Sequence, residues 1–318
     1  MFSKSLFKNI LGNFFVNGEL NYQKRIYYYN FWTSQNAENI WFSKFIKHHG
    51  LLEKYKGRIN FYSILGSLEQ FQRHHKGLNV FYSGENLMSN RFSEYRVAYE
   101  KRFFDLSLGF EKDHTNYLRL PIWLLTLFDP EADYIAIKEK VQQLTRPCLD
   151  NRTGFCSIVA SHDWNGVRGR IMDNLSAVNN ITSGGTFRNN TNDLKIRFNN
   201  NKRDFISQYK FNICPENSDE PGYVTEKLFQ AIEAGCIPIY WGAGNNPEPE
   251  IINNKAVIFW NDKAGKNELV EKVNDIWENE SVYRDFFFQE RLMPNASEII
   301  WTYYTQLHNS LNKLLKNM

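Results

Sequence analysis

Hydrophobic and polar positions along this chain switch repeatedly between two periods. Short continuous apolar runs of strand length alternate with stretches of helical spacing. KRIYYYNFW (24–32) reads as a first strand entering a loop, and Ile40–His49 as a helix. Ile59–Leu65, Asn79–Ser83 and Phe104–Phe110 read as further strands, the second ending at Gly84, where a turn forms without steric cost. Leu120–Leu127 starts a helix after Pro121, and Tyr134–Leu144 is helical, followed by an exposed connection. The pattern then restarts. Phe155–Ala160 is a strand, and Arg168–Val178 has helical spacing through Ile171, Leu175 and Val178. Residues 189–204, rich in asparagine and charge, read as loop. Tyr209–Cys214 is a strand, Thr225–Ala234 a helix, Cys236–Trp241 and Ala256–Trp260 strands, and Glu268–Glu278 and Val282–Glu290 helices. Residues 295–316 form an amphipathic helix carrying Ile299, Ile300, Tyr303, Leu307, Leu311 and Leu314. Strands alternating with helices, twice over, predict an α/β architecture with parallel sheets in two lobes, divided near residues 146–153.

Length supports that division, because 318 residues suit two domains of about 150 better than one core. The hydrophobic share of 42% and charged share of 23% exclude a disordered chain. A net charge of +3 is too small to argue for nucleic acid. The basic run Lys195–Lys210 is interrupted by Asp204, preceded by Asp193 and dominated by asparagine at its centre, so no nucleic-acid partner is expected. Aromatic content of 16% fits both large cores with tyrosine-rich surfaces and platforms for sugars or bases, and composition leaves both open. Cys148, Cys156, Cys214 and Cys236 match no zinc spacing and read as buried free thiols of a reducing compartment. His74, His75 and His162 have no metal-like partner spacing and read as surface or loop residues.

No apolar run is long enough for a transmembrane helix. At the start of the chain, Phe2, Leu6, Phe7, Ile10, Leu11, Phe14 and Phe15 recur at helical spacing with Lys4 and Lys8 off the stripe. Two readings stand: a helix docked on its own domain, or a membrane-surface helix giving weak peripheral contact through residues 2–15. Together these features predict a cytoplasmic protein, peripheral at the inner face of a membrane.

The stretch YKFNICPENSDEPGYVTEKLFQAIEAGCIPIYWG, Tyr209 to Gly242, is strand, polar loop, helix, strand. Thr225 is placed to cap the helix by accepting from a free amide. Glu226 suits the positive N-terminal dipole, whereas Lys227 is electrostatically misplaced there by roughly 0.3–1 kcal/mol. An anion bound at the helix N-terminus would remove that penalty, and a diphosphate is a natural occupant. No Asp-x-Asp pair occurs in the sequence, so a diphosphate leaving group would be neutralised by side-chain cations and a helix dipole instead of a metal ion.

ENS (216–218), YVTEK (223–227), Ala231, Gly235 and IPIYWG (237–242) resemble the signature of the α-1,3/4-fucosyltransferases, glycosyltransferase family 10. The resemblance extends through VFYSGEN (80–86), YLRLPIW (117–123), SIVASHD (157–163), VRGRIMDNL (167–175), SGGTFRNN (183–190) and FISQYKFN (205–212), and is similar above all to bacterial members. It implies a GT-B fold, two Rossmann-like lobes with parallel sheets facing an interlobe cleft. The implied division is an acceptor-side domain 1–150, a GDP-sugar donor domain 151–294, and a C-terminal helix 295–318 packing back on the N-terminal domain.

The implied reaction is metal-independent transfer of L-fucose from GDP-β-L-fucose to a hydroxyl of a GlcNAc-type acceptor, with inversion and α-1,3 favoured over α-1,4. No cofactor is implied, and a lipid-linked or lipopolysaccharide glycan is the expected acceptor class. The resemblance assigns Glu85 as general base and Arg168 to the diphosphate. Lys227 is the second cation, Tyr223 donates to the same group, and Glu226 accepts from ribose hydroxyls. Asn217 contacts the nucleotide or orders the loop, and Arg188 is a further candidate donor contact. His162 would line the pocket without chemistry. Pro215 departs from the family pattern, removing an amide and restricting Cys214. The alternatives are another GDP-6-deoxyhexose donor and a non-catalytic glycan- or nucleotide-binding relative.

Overall fold

A computed structural model of the protein describes residues 20–31, 36–72, 75–99, 102–111, 116–146, 152–261 and 266–318. The predicted helix over 2–15, His74 and Cys148 lie outside the described residues. The chain forms two compact units, Met1–Asp133 with Trp301–Met318, and Tyr134–Ile300. The division thus falls at Asp133, not near residue 150. The reason lies in the helix Tyr134–Thr145, which buries Ile137, Val141 and Leu144. Its Lys140 pairs with Glu233 at 2.5 Å, and its Thr145 carbonyl accepts from the Arg291 amide at 2.9 Å, both partners within the second unit.

The first unit holds a six-stranded sheet in sequence order, β1 (Leu20–Tyr22), β2 (Ile26–Tyr29), β3 (Ile59–Tyr62), β4 (Leu78–Tyr82), β5 (Leu106–Gly109) and β6 (Tyr117–Arg119). β1 is antiparallel to β2 and the remaining pairs are parallel. Its helices are α1 (Trp41–His48), α2 (Leu51–Lys54), α3 (Glu69–Gln72) and α4 (Ile122–Leu127). The two-residue period of a strand sends neighbours to opposite faces. Phe61 accordingly stacks on Phe42 of α1 at 4.6 Å between ring centres, while Tyr62 meets Phe71 of α3 at 6.1 Å. The C-terminal helix Ala296–Lys316 contributes Tyr304, Leu307, Leu311 and Leu315 to this core. Tyr303 and Leu314, expected on that stripe, are only half-buried. The Tyr304 hydroxyl donates to the Asp129 carbonyl at 2.7 Å, and the Tyr55 hydroxyl donates to Asn312 at 2.8 Å.

His75 lies in a loop, as expected, half-buried with its ring stacked on Tyr29 at 4.5 Å. His49 packs between Phe45 and His308, and its Nε2 is buried with no hydrogen-bond partner among the described residues. Burial, reinforced by His308 and His48, pushes the His49 pKa down from 6.5 to about 4. Below pH 6.5 the unfolded chain therefore takes up a proton that native His49 refuses, and stability falls as pH drops from 6.5 towards about 4. His49→Leu should flatten that part of a curve of melting temperature against pH. A slope equal to that of wild type would clear His49 of the effect.

The second unit is a five-stranded, wholly parallel sheet of β7 (Gly154–Ile158), β8 (Ile181–Ser183), β9 (Tyr209–Ile213), β10 (Ile237–Tyr240) and β11 (Ile258–Phe259), in the order β11-β10-β9-β7-β8. Its helices are α5 (Tyr134–Thr145), α6 (Val167–Leu175), α7 (Asp193–Ile196), α8 (Lys202–Ile206), α9 (Glu226–Glu233), α10 (Lys266–Glu278) and α11 (Glu280–Phe287). Buried Cys156, Ile158, Phe211, Ile213, Ile237 and Ile239 from the sheet pack with Ile171 and Leu175 of α6. The chain leaves β7 for β8 on one side and returns to β9 on the other. A crevice at such a switch point, beyond the carboxyl ends of the strands, is where open α/β sheets bind ligands.

Residues 189–204 are not simply loop, because α7 lies within them and α8 begins there. Asn199 and Asn200 turn the chain between them at φ 47° and 62°, a region asparagine tolerates. The Asn201 side chain caps α8 by accepting from the Asp204 amide. Phe205 and Ile206 are buried with Ala234 and Cys236. Cys156, Cys214 and Cys236 are buried free thiols, and burial holds Cys156 and Cys214 protonated. Among the described residues, no helix is long and apolar enough to cross a membrane.

Candidate active site

Two loops meet at the switch point, one joining β7 to α6 and the other joining β9 to α9. The first is fixed by its own side chains. The Asp163 carboxylate accepts from the amides of Arg168 at 3.0 Å and Gly169 at 2.7 Å, and Asn165 Oδ1 accepts from the Val167 amide at 3.1 Å. These contacts satisfy the donors that a helix N-terminus leaves open. Asn165 Nδ2 then reaches the second loop, donating to the Asn217 carbonyl at 3.1 Å.

Arg168 joins the loops more firmly. It is only 4% exposed, yet stands in the first turn of α6. Its Nη1 donates to the His162 carbonyl at 2.6 Å, and its Nη2 donates to Asn217 Oδ1 at 2.9 Å and to the Pro215 carbonyl at 3.4 Å. Burial pulls the Arg168 pKa down, opposed by Asp163, Glu216 and Tyr223. A guanidinium keeps its charge under such conditions. Asn217 thus orders the loop through Arg168, and Pro215, with no amide to offer, contributes its carbonyl to the same guanidinium.

Glu216 is the hub of the second loop and is wholly buried. Its Oε1 accepts from the Thr225 amide at 2.7 Å and the Tyr240 hydroxyl at 3.4 Å, and its Oε2 accepts from Thr225 Oγ1 at 2.6 Å and Lys227 Nζ at 3.0 Å. Lys227 also donates to Thr225 Oγ1 at 2.7 Å. Gly242 has φ +131°, and a Cβ there would lie 2.9 Å from the Glu216 side chain, so only glycine lets the chain pass. Thr225 occupies the N-cap of α9, but its side chain accepts no helix amide and donates to Glu216 instead. The misplaced charge of Lys227 is likewise compensated from within, by Glu216. The protein's own carboxylate therefore takes the place foreseen for an external anion, and a bound diphosphate would be met by side-chain cations more than by a bare helix end.

Tyr223 is 1% exposed and lies close enough to act electrostatically on Arg168. Glu226 sits 3.9 Å from Lys227 Nζ. Burial pushes its carboxyl pKa up, but Lys227 and Lys202, with hydrogen bonds from its own amide and Thr225, outweigh that and hold it below the ordinary carboxylate value. Lys202, on α8, donates to Gln230 of α9 at 2.7 Å and has its own pKa lowered by burial. Its place beside Glu226 gave no signal in an asparagine-rich run. Asp163 could have been read as an acidic cap ahead of a helix.

Arg168, Asn217, Tyr223, Glu226 and Lys227 are thus brought together. Arg188 is not joined to them by a hydrogen bond. It stands at φ 47° and is held in an ion pair by exposed Asp173, on α6. The glycine-rich loop before it packs tightly on the end of β7, because a Cβ on Gly185 would lie 2.1 Å from the Ala160 carbonyl oxygen.

Glu85 belongs to the other unit, at the carboxyl end of β4. The Ser83 hydroxyl donates to the Glu85 carbonyl at 2.9 Å and accepts from the Glu85 amide at 3.1 Å, a local turn that fixes the backbone. Gly84 has Ile122 against it, where a Cβ would come within 2.5 Å. Among the described residues, no group of three or more His, Cys, Asp or Glu side chains is arranged to hold a metal ion.

Two α/β units, each built on a largely or wholly parallel sheet, define the class of fold, that of the GT-B glycosyltransferases. A crystal structure of an alpha1,3-fucosyltransferase with GDP-fucose aligns at a TM-score of 0.57 with 22% identity, covering 93% of this chain and 94% of that one. Residues 150–312 match the family model described as glycosyltransferase family 10 (fucosyltransferase) C-term, and residues 26–126 match that of the alpha-(1,3)-fucosyltransferase FucT N-terminal domain. The protein belongs to glycosyltransferase family 10, the fucosyltransferases, and is of the bacterial type. Alpha-(1,3)-fucosyltransferase FucT of Helicobacter pylori is 29% identical over 255 residues, 72% of this chain and 50% of that protein. Alpha-(1,3)-fucosyltransferase B of Drosophila melanogaster is 40% identical over 82 residues, 26% of this chain and 18% of that protein. The chain spans half or less of the length of these curated relatives.

Proposed function

We propose that this protein transfers L-fucose from GDP-β-L-fucose to a hydroxyl of a GlcNAc-type acceptor, with inversion and without a metal ion. The observation that carries the reading is the joined pair of switch-point loops, with Arg168 bonded to Asn217 at 2.9 Å and Lys227 fixed by Glu216 at 3.0 Å. Two fixed cations at the carboxyl ends of β7 and β9 suit a diphosphate whose charge grows as it leaves. Arg168 and Lys227 neutralise it, Tyr223 donates to the same oxygens, and Glu226, held ionised, accepts from ribose hydroxyls. Arg188 is a further candidate donor contact, and to make it the side chain would give up an exposed ion pair with Asp173, worth at most about 1 kcal/mol. Glu85 takes the proton of the acceptor hydroxyl as that oxygen attacks the anomeric carbon. The bond from that carbon to the diphosphate oxygen breaks, and GDP departs with the electron pair.

The deciding experiment is product analysis with GDP-fucose and other GDP-6-deoxyhexoses against type 1, type 2 and unrelated acceptors. An α-1,3-fucosylated product is expected. Preferential transfer from another deoxyhexose would replace the donor, and neither transfer nor donor hydrolysis by folded protein would leave a binding relative. A second expectation concerns affinity. Arg168→Ala and Lys227→Ala should each weaken GDP binding by about 10- to 100-fold, the scale of a charge-assisted hydrogen bond. Arg168→Lys should recover only part, since a point charge lacks the planar fork. Calorimetry on both alanine variants, with melts to verify folding, checks this, and unchanged affinity in both would contradict it.

A further inference from the structure

The loop between β7 and α6 is held more rigidly than a surface loop needs. Asp163 and Asn165 tie the loop to the first amides of α6, the Thr186 hydroxyl donates to the Ser161 carbonyl at 2.9 Å, and the Phe187 amide donates to the Ala160 carbonyl at 2.9 Å. On this fixed loop stands Trp164, 61% exposed, while Trp41, Trp123 and Trp260 are all buried. Its indole lies parallel on the ring of His162, with centres 3.5 Å apart and planes 5° from parallel. His162 is anchored in turn, its carbonyl 2.6 Å and its Nδ1 3.4 Å from Arg168 Nη1. A stacked, pre-ordered tryptophan left in water is a rigid apolar surface that loses little entropy on binding. Its electron-rich face attracts the positive edge of C–H groups.

Arg168 gives this surface a direction. Its Nη1 faces His162 and its Nη2 faces Asn217, on the loop that leads to Glu226 and Lys227. With the nucleoside towards Glu226 and the diphosphate at Arg168 and Lys227, the sugar lies on the Nη1 side. We propose that Trp164, backed by His162, is a stacking platform for the apolar face of a pyranose beside the diphosphate, and so a specificity-determining residue. The inference rests on the donor-site reading given above. The pyranose comes either from the donor, whose 6-deoxy carbon makes one face more apolar, or from the acceptor.

The test measures three quantities on wild type, Trp164→Ala and Trp164→Phe. They are calorimetric affinity for GDP, calorimetric affinity for GDP-fucose without acceptor, and KM for a soluble GlcNAc-containing disaccharide. In Trp164→Ala, GDP affinity should stay within about twofold of wild type, while one sugar-dependent quantity worsens about tenfold, the upper scale of one aromatic contact. A loss in GDP-fucose affinity identifies the donor sugar, and a rise in KM alone identifies the acceptor sugar. Trp164→Phe should recover most of the loss, and GDP affinity should stay unchanged throughout, whereas a merely structural role in the loop would move GDP affinity with it, because His162 on this loop holds Arg168. Equal weakening of GDP and GDP-fucose, no change in any quantity, or a phenylalanine variant as poor as alanine would overturn the platform. Wild-type protein that fails to bind GDP would overturn the donor-site reading and the platform with it. Failure in the variants alone, with wild-type GDP binding intact, overturns only the platform.

Discussion

Glu85→Gln is expected to lower the rate of transfer by at least about a thousandfold, within the usual range for losing a general base, while GDP affinity stays within a few-fold of wild type. The separation of the two effects follows from where the residues stand. Glu85 belongs to the first unit, at the end of β4, whereas Arg168, Asn217 and Lys227 belong to the second. The substitution is also mild for the fold. The Ser83 hydroxyl grips the backbone of residue 85, not its side chain, and glutamine has nearly the same shape. What changes is the ability to accept a proton. An amide does not take one at neutral pH, so the attacking hydroxyl must lose its proton to water. Steady-state rates with GDP-fucose and a disaccharide acceptor, beside GDP calorimetry on the same preparation, read both quantities. Turnover near the wild-type level would remove Glu85 from the mechanism. Loss of GDP affinity in parallel with rate would make its role structural.

Much of the second unit was legible because its strands are continuous apolar runs. Phe155 to Ile158 and Phe211 to Ile213 are buried on both faces of a parallel sheet, and such strands announce themselves by length and flanking turns. β1, β6 and β8 span three residues each, too few for any period to register, and their pairing is a product of the assembled sheet. α7 and α8 were hidden by composition. Asparagine and charge read as loop, while Phe205 and Ile206 supply the burial that stabilises the second of these helices.

The site divides the same way. Its residue types and local spacing were visible, and the sheet brings the expected Arg168, Asn217, Tyr223, Glu226 and Lys227 into one place. Their partners were not visible. Arg168 and Asn217 are 49 residues apart, and nothing local in either loop reveals that β9 returns to the flank of β7 opposite β8. Thr225 shows the limit most clearly. Its position as N-cap is a property of the local sequence, but its hydroxyl turns to a carboxylate nine residues earlier because that carboxylate is buried and needs donors.

Glu216→Gln is accordingly expected to be the most damaging single-atom exchange in the second unit, with a loss of stability of about 3–5 kcal/mol, the scale for breaking a buried charge pair. Each carboxylate oxygen faces a group that only donates. Oε1 receives the Thr225 amide and Oε2 receives the Lys227 ammonium. Whichever way a glutamine amide is turned, its NH₂ meets one of these donors, so flipping offers no escape. The same substitution releases Lys227 from the Glu216 carboxylate and should weaken GDP binding further, because the ammonium loses its fixed position. A double-mutant cycle separates the causes. In a Lys227→Met background the glutamine NH₂ can take the Oε2 position and donate to Thr225 Oγ1, which then has no lysine bonded to it. The stability cost of Glu216→Gln should therefore fall by about half or more in that background, a coupling of the size found between directly bonded partners. Denaturant melts of the four proteins measure the coupling. Additive costs, or a Glu216→Gln single variant as stable as wild type, would show that the buried carboxylate does not organise the α9 end of the site.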